Sequence, residues 1–306
     1  MALKIVFMGT PEFAIPILNS IHKSDHKILS VYTQPPKKKF RGQKIISSAV
    51  QQLAEKLNLT VRCPEMLDND KEYNFLKDLK PNVVVVVAYG KIIPKKILHL
   101  KGITFLNIHA SILPKWRGAA PIQRAIMNLD KETGVSVMKV IPKLDSGPVM
   151  MKSKITISKN SNFEELSFKL SNLGAKLIIE PLNLVEKKQE QFIEQNESEA
   201  TYAKKVDKEE AKIIWREDAK KIIAKINAFH PNPGSWFKFN GSRLKIIKAI
   251  EVEATGEPGQ IINKNFTIAC SKNAVQILEL QKEGKRKMKV SEFLKGNKLE
   301  TNSKIL

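Results

Sequence analysis

The sequence predicts an α/β protein of two domains, a doubly wound, mainly parallel sheet followed by a small β-barrel. Three observations carry this prediction. Short apolar runs alternate with amphipathic stretches through the first half. The β-branched run Val83–Ala88 lacks polar alternation, as a strand buried on both faces does. The last hundred residues change to short alternating runs broken by Gly and Asn turns. A chain of 306 residues also exceeds one typical core and suits two.

Leu3–Met8 is the first strand-like run and ends at Gly9. Thr10-Pro11-Glu12 then opens a periodic stretch to Ile21, with Thr10 as the N-cap and Pro11 in the first helical turn. Ile28–Thr33 reads as a strand, Ile45–Leu57 as a helix, Val61 as the start of a short strand and Glu72–Leu79 as a helix. Ile103–Ile108 and Val135–Ile141 are further strands, with the helix Pro121–Leu129 between them. Phe163–Lys188 is one long helical pattern kinked at Pro181, where proline removes a backbone donor and crowds the preceding turn. The first domain is thus expected over residues 1–188. Residues 189–206 are rich in Glu, Gln, Asn, Ser and Lys, the composition of a linker or extended surface segment. The second domain, residues 207–306, opens with a helical stretch, Lys208–Ala228. Strand-like runs follow at Ser235–Phe239, Leu244–Glu251, Gly259–Ile262, Phe266–Ala269 and Val275–Leu280.

Composition bounds the function. Hydrophobic residues make up 42% of the chain, enough to build cores and too many for a disordered tail. No apolar run is long enough to cross a bilayer, and the N-terminus lacks the pattern of a signal peptide, so a cytoplasmic protein is expected. Cys63 and Cys270 stand far apart and form neither a disulfide framework nor a metal-ligand spacing; no metal is expected. The formal net charge of +21 points to a polyanionic partner, nucleic acid before membrane. Lysine outnumbers arginine, and a lysine-rich composition raises the charge of any surface, so the charge leans towards nucleic acid without deciding it. The excess persists in residues 207–306, with 20 Lys and Arg against 12 Asp and Glu.

The first strand-to-helix turn, Met8-Gly9-Thr10-Pro11, has one glycine where a dinucleotide site has three, which argues against a nicotinamide or flavin. Chemistry concentrates instead in Asn107-Ile-His109-Ala-Ser111-Ile-Leu-Pro114-Lys-Trp-Arg-Gly118. Asn107 and His109 are two apart at the carboxyl end of a predicted strand, so both side chains face one side, at the edge where doubly wound sheets bind ligands. Alone, the histidine reads as a core imidazole and Asp145, in Leu144-Asp-Ser-Gly-Pro148, as an ordinary turn acid. Together the three supply an amide donor, a titratable imidazole and a carboxylate able to orient it. A basic run around an aromatic, Lys37-Lys38-Lys39-Phe40-Arg41 with Lys44, follows the second strand at the same edge. It is either a solvated charge run or a guide for RNA.

The spacing N-x-H-x-S-x-L-P-x-x-x-G over Asn107–Gly118, with D-S-G-P at Asp145–Pro148, resembles the active-site pattern of folate-dependent formyltransferases. Phe7-Met-Gly-Thr-Pro-Glu-Phe13, Val31-Tyr-Thr-Gln-Pro35, Ile277-Leu-Glu-Leu-Gln281 and Gly284-Lys-Arg-Lys-Met288 extend the resemblance nearly end to end, and Ser111–Gln123 is similar to members of the family that act on a charged tRNA. Phe229-His-Pro-Asn-Pro-Gly234 departs from it, since relatives often carry an aromatic between the prolines. The resemblance implies a Rossmann-like catalytic domain and an OB-like C-terminal domain that contacts tRNA. It implies formyl transfer from 10-formyltetrahydrofolate, a co-substrate, to the α-amine of methionyl initiator tRNA at translation initiation. It also implies Asn107, His109 and Asp145 as catalytic residues and Ser111, Ile112, Leu113 and Pro114 as the folate-binding loop. Lys37, Lys38, Lys39, Arg41 and Lys44 would contact tRNA. No membrane and no obligate protein partner is expected, and a monomer suffices.

Other formyltransferases share the trio, including those acting on a purine-pathway ribonucleotide or an amino-sugar nucleotide, as does a formylfolate hydrolase. None of these needs the basic run or a basic second domain. A non-catalytic RNA-binding protein on the same scaffold would not need the intact trio.

Overall fold

From Leu3 to Ile108 each apolar run is followed by a segment that returns the chain to the edge from which the run began, so these strands lie parallel. The computed structural model describes residues 2–39 and 44–305. β1 (Lys4–Gly9) leads into a 3-10 turn and α1 (Ile15–His22). β2 (Lys27–Tyr32) is followed by a short hairpin, β3 (Lys37–Lys39) and β4 (Lys44–Ile46), then by α2 (Ala49–Lys56), β5 (Val61–Arg62) and α3 (Asp70–Leu79). β6 (Val83–Val87), α4 (Lys95–Leu98), β7 (Thr104–His109), β8 (Arg117–Gly118), α5 (Pro121–Met127), β9 (Glu132–Lys139) and β10 (Val149–Thr156) come next. α6 (Phe163–Leu177), α7 (Ile179–Glu186) and β11 (Tyr202–Ala203) follow.

The seven-stranded sheet runs β10-β9-β7-β6-β1-β2-β5. β5, β2, β1, β6 and β7 are parallel, and β9 returns antiparallel to β7. The order reverses between β1 and β6, and there the loops after both strands are tied, Thr10 Oγ1 donating to the Tyr89 carbonyl at 2.8 Å. Thr10 therefore does not cap α1 as the sequence suggested. Its hydroxyl is taken by the neighbouring loop, and a 3-10 turn at Glu12–Ala14 intervenes. Gly9 is required at that crossing, since a Cβ would meet the Phe7 ring at 2.8 Å and the Val87 carbonyl at 3.1 Å. At the β5 edge a buried cluster replaces apolar packing. Arg62 forks onto Glu72 at 2.7 Å and Tyr32 donates to the same carboxylate at 2.9 Å. Burial opposes the charge on Glu72, but these hydrogen bonds outweigh it and hold the carboxyl below its usual range.

Three other local readings change. Ile45 lies in the β3–β4 hairpin, and α2 starts only after Ser48, whose side chain accepts from the Gln51 N–H at 2.9 Å. The long helix breaks at Ile178, one residue after the carbonyl that the Pro181 ring would crowd. β10 escaped the sequence reading because it is an edge strand with mixed polarity.

In the second half, Lys208–Ala228 is not one helix. Glu209–Ala211 makes a single 3-10 turn, and the Ile213 N–H donates to the Trp236 carbonyl at 2.8 Å. α8 (Ala219–Ala228) begins at its Asp218 cap. β12 (Trp236–Phe239), β13 (Ser242–Val252), β14 (Ile261–Asn263), β15 (Thr267–Ala269), β16 (Ala274–Lys282) and β17 (Lys287–Lys289) form an antiparallel sheet, followed by α9 (Val290–Phe293). It encloses Phe237, Phe266 and Phe293, with Trp215 and Phe239 packed edge-on against them. This is the small barrel-like unit the short runs predicted.

Contacts divide the chain into Met1–Pro121, Glu132–Ile155 and Ser167–Ala203 as one unit, and Ile122–Lys131, Thr156–Leu166 and Lys204–Leu306 as the other. Among the described residues no helix is long and apolar enough to cross a membrane.

Candidate active site

β7 ends at the carboxyl edge of the sheet, next to the point where the strand order reverses, and delivers Asn107 and His109 to one side of it. Asn107 is half-buried, whereas His109 is 6% exposed. The imidazole is held from both ends. Nε2 donates to the Trp116 carbonyl at 2.8 Å, and Nδ1 faces Asp145 Oδ2 at 3.7 Å, an ion-pair distance rather than a hydrogen bond. A carbonyl only accepts, so the Nε2 contact fixes a proton there. A neutral ring would then turn a lone pair towards the carboxylate, whereas an imidazolium finds an acceptor at each nitrogen.

Asp145 is set by the turn between β9 and β10. Its Oδ2 also accepts from the Gly118 N–H at 2.8 Å, a charge-assisted bond worth about 1.5–3 kcal/mol. Gly147 lets this turn close, because a Cβ would lie 1.8 Å from the Lys139 carbonyl. Asp145 and Trp116 both occupy left-handed backbone, at φ 43° and 62°. For residues with side chains such conformations persist only where the surroundings hold them.

The loop Ser111–Pro114 is propped from beneath. The buried Ser136 hydroxyl donates to the Ser111 carbonyl at 2.7 Å and accepts from the Leu113 N–H at 3.1 Å. Ser111 donates to the Lys115 carbonyl at 2.5 Å, and Leu113 is fully buried with Met138 and Val149. Ile112 packs on Gly134. Of these four residues, Pro114 lines a cavity of about 410 Å³ with Val149, Met150, Lys152, Ile193 and Gln195. Lys152 donates to the Leu113 carbonyl at 2.5 Å, and burial draws its amine below the usual lysine range. Asn107, His109 and Asp145 do not line that cavity.

The basic run divides. β3 and β4 pair as a hairpin, and Lys37 Nζ donates to Gln34 Oε1 at 2.6 Å. Gln34 in turn donates to the Tyr89 carbonyl at 3.0 Å, which ties the base of the hairpin to the loop after β6. Arg41 and the side chains of Lys38, Lys39 and Lys44 lie outside the described residues.

Four residues at the site, Arg117, Gln195, Glu197 and Thr201, were not singled out in the sequence. Arg117 is fully buried, its guanidinium donating to Gln195 Oε1 at 3.0 Å and to Glu197 at 2.8 Å. Hydrogen bonds from Arg117 and from Lys143 pull the Glu197 carboxyl down to about 2. Thr201 accepts at Oγ1 from the Trp116 N–H and at its carbonyl from the Arg117 N–H. The available signal was an arginine set directly against the small, apolar run Gly118-Ala-Ala-Pro121, since a buried guanidinium requires acceptors from elsewhere.

Residues 3–182 match the formyl transferase family, and residues 205–298 match the formyl transferase C-terminal domain. The chain belongs to the formyl transferase family. Among its relatives, the methionyl-tRNA formyltransferase of Pelagibacter ubique (strain HTCC1062) is 47% identical over 100% of this chain and 99% of its own length. That of Paracoccus denitrificans (strain Pd 1222) is 42% identical over 96% and 97%. Solved structures share the fold at low identity. The N-formyltransferase from Helicobacter canadensis, in complex with folinic acid and dTDP-3-aminofucose, has a TM-score of 0.69 at 19% identity, over 90% of this chain and 99% of that one. HypX from Aquifex aeolicus, in complex with tetrahydrofolic acid, has a TM-score of 0.65 at 17% identity. The match covers 99% of this formyl transferase but about half, 51%, of the HypX chain.

Proposed function

We propose that this chain transfers the formyl group of 10-formyltetrahydrofolate to the α-amine of methionyl initiator tRNA in the cytoplasm, with Asn107, His109 and Asp145 as the catalytic residues. The observation that carries the chemistry is His109 held between the Trp116 carbonyl and the Asp145 carboxylate at the end of β7. The acceptor is supported by full-length relatives that are methionyl-tRNA formyltransferases, at 47% and 42% identity.

The α-amine titrates near ~8, so much of it is neutral and nucleophilic at physiological pH. Its lone pair attacks the formyl carbon, and the carbonyl π electrons move to oxygen. The Asn107 carboxamide donates to that oxyanion and the positive charge of the His109 imidazolium stabilises it, a role for which fixed dipoles and charges are well suited. Asp145 orients the imidazole and assists transfer of the proton that the amine loses. Collapse re-forms the carbonyl and breaks the bond to N10 of the folate, while the proton lost by the amine passes to N10. The loop Ser111–Pro114 forms a wall of the folate site, with Pro114 and backbone groups facing the ligand. Residues 1–188 supply this chemistry and residues 207–306 contact the tRNA, joined by residues 189–206. Lys37, Lys38, Lys39, Arg41 and Lys44 guide the acceptor stem towards the β7 edge.

The test is transfer of labelled formyl from 10-formyltetrahydrofolate to methionyl initiator tRNA, free methionine and an amino-sugar nucleotide, side by side. The tRNA is expected to be formylated far faster than either small amine. Equal or faster transfer to a small amine would reject the acceptor, and release of formate without an acceptor would make the chain a hydrolase.

A further inference from the structure

We propose that Gln195 is a positioning residue, and that the segment 195–203 acts as a strap holding the two strained backbone positions that set the His109–Asp145 pair. This rests on the assignment of that pair above. The composition of the segment suits a surface linker, yet Gln195, Glu197 and Thr201 are spent on the loops of the site. Gln195 is fully engaged. Its Oε1 accepts from Arg117 Nε at 3.0 Å, and its Nε2 donates to the carbonyls of Asp145 and Gly147, at 2.9 and 2.7 Å. One carboxamide therefore ties the loop carrying Trp116–Gly118 to the turn carrying Asp145.

Thr201 completes the strap from the other end, receiving the Trp116 and Arg117 N–H groups at 2.9 and 2.8 Å. β11 then pairs with β8, Tyr202 beside Arg117 and Ala203 beside Gly118. Each anchored position bears directly on the pair. Trp116, at φ 62°, supplies the carbonyl that His109 Nε2 reaches; Asp145, at φ 43°, supplies the carboxylate; Gly118 donates its N–H to that carboxylate. Left-handed backbone at a residue with a side chain relaxes unless it is over-determined. Here the determinants are the amide of Gln195 and the backbone and hydroxyl of Thr201. None of them touches the reacting atoms, so their effect is on where the pair sits.

Gln195→Glu isolates this role. The carboxylate keeps the size and the Arg117 contact but cannot donate, and it turns negative charge towards the two carbonyls. Two readouts are taken against the unmodified protein and Asp145→Asn. The first is amide hydrogen exchange of peptides spanning 115–120 and 143–148. The second is kcat and KM for formyl transfer to Met-tRNA. Faster exchange in both peptides is expected, with kcat lower by on the order of 10²-fold and KM for folate little changed, as for a displacement of about 1 Å at a catalytic group. In the Asp145→Asn background the same substitution is expected to cost at most a few-fold, because the group it positions is already disabled.

Unchanged exchange overturns the proposal, as does an equal loss of kcat in both backgrounds. Faster exchange with normal kcat also overturns it when Asp145→Asn is slow. If Asp145→Asn is fast as well, the catalytic assignment falls, while the exchange result still decides the strap. Gln195→Met, which removes all three hydrogen bonds at similar volume without adding charge, carries the test if Gln195→Glu does not fold. Failure of both to fold would make Gln195 a residue of the scaffold and reject the proposal.

Discussion

Replacing Asp145 by asparagine preserves the shape of the side chain and removes its charge. Oδ2 stands 3.7 Å from His109 Nδ1, with the two side chains 16% and 7% exposed, so solvent screens the pair only weakly. At an effective dielectric of about 20, unit charges at that distance attract by about 4 kcal/mol. Realised in a transition state in which the imidazole is charged, as proposed above, this corresponds to about 10³-fold in rate. The amide oxygen still accepts from the Gly118 N–H, so the loop keeps its anchor. The expected result is kcat lower by about 10³-fold, with the folate dissociation constant and the melting temperature close to those of the unmodified protein. Single-turnover transfer of labelled formyl, folate titration by fluorescence and a thermal melt measure the three. A loss of less than about tenfold would refute the argument that Asp145 holds the charge of His109, because no plausible dielectric makes a mostly buried pair at this distance that weak. Folate affinity collapsing along with rate would instead make Asp145 a binding residue.

His109→Ala is expected to lower kcat by at least as much while leaving folate binding nearly intact, since its proposed work is confined to the transition state; parallel loss of affinity in the same titration would contradict this. Replacing Lys37, Lys38, Lys39, Arg41 and Lys44 by serine is expected to raise the apparent constant for tRNA and not that for folate. Each lost phosphate contact should flatten the logarithmic salt dependence by about 0.7–0.9, so weaker binding with an unchanged slope would show that the hairpin acts by shape. Hydrogen bonds from Arg117 and Lys143 depress Glu197 to about 2 in the folded state. A depressed carboxyl adds stability that is present above its unfolded value near ~4.3 and is lost as pH falls towards 2. Glu197→Gln is therefore expected to be less stable than the unmodified protein in urea at pH 7, with the difference vanishing between about pH 5 and pH 2. A difference independent of pH would mean that packing, not charge, links Glu197 to Arg117.

The sheet was legible because its strands are buried on both faces and read as continuous apolar runs; Val83–Ala88 allowed no other assignment. β10 was not legible, since an edge strand with one wet face mixes polar and apolar residues as a loop does. The helical readings failed where a local rule met a tertiary partner. Thr10 has the chemistry of an N-cap but gives its hydroxyl to the Tyr89 carbonyl, and Lys212–Trp215 gives up helical hydrogen bonds to pair with β12. At the site, period-2 spacing put Asn107 and His109 on one side, but nothing in the spacing brought Asp145, far along the chain, to within 3.7 Å of the imidazole. Gln195 and Thr201 were invisible for a further reason. Polar residues in a polar stretch carry no pattern, and only the fold shows that the acceptors a buried Arg117 requires come from there.

The interleaving of the two units has a consequence for how the protein is made. Arg124, on α5, forks onto Glu210 at 2.6 and 3.0 Å and donates to the carbonyl of Lys204, contacts internal to the second unit although some 80 residues of chain separate the partners. A ribosome releases α5 well before Glu210 exists, so this arginine waits with its partner unmade while the intervening chain emerges. The second unit cannot be completed from its own contiguous stretch. A fragment starting at residue 207 would lack the guanidinium that seats Glu210, and supplying a peptide of residues 119–133 in trans would be the way to return it.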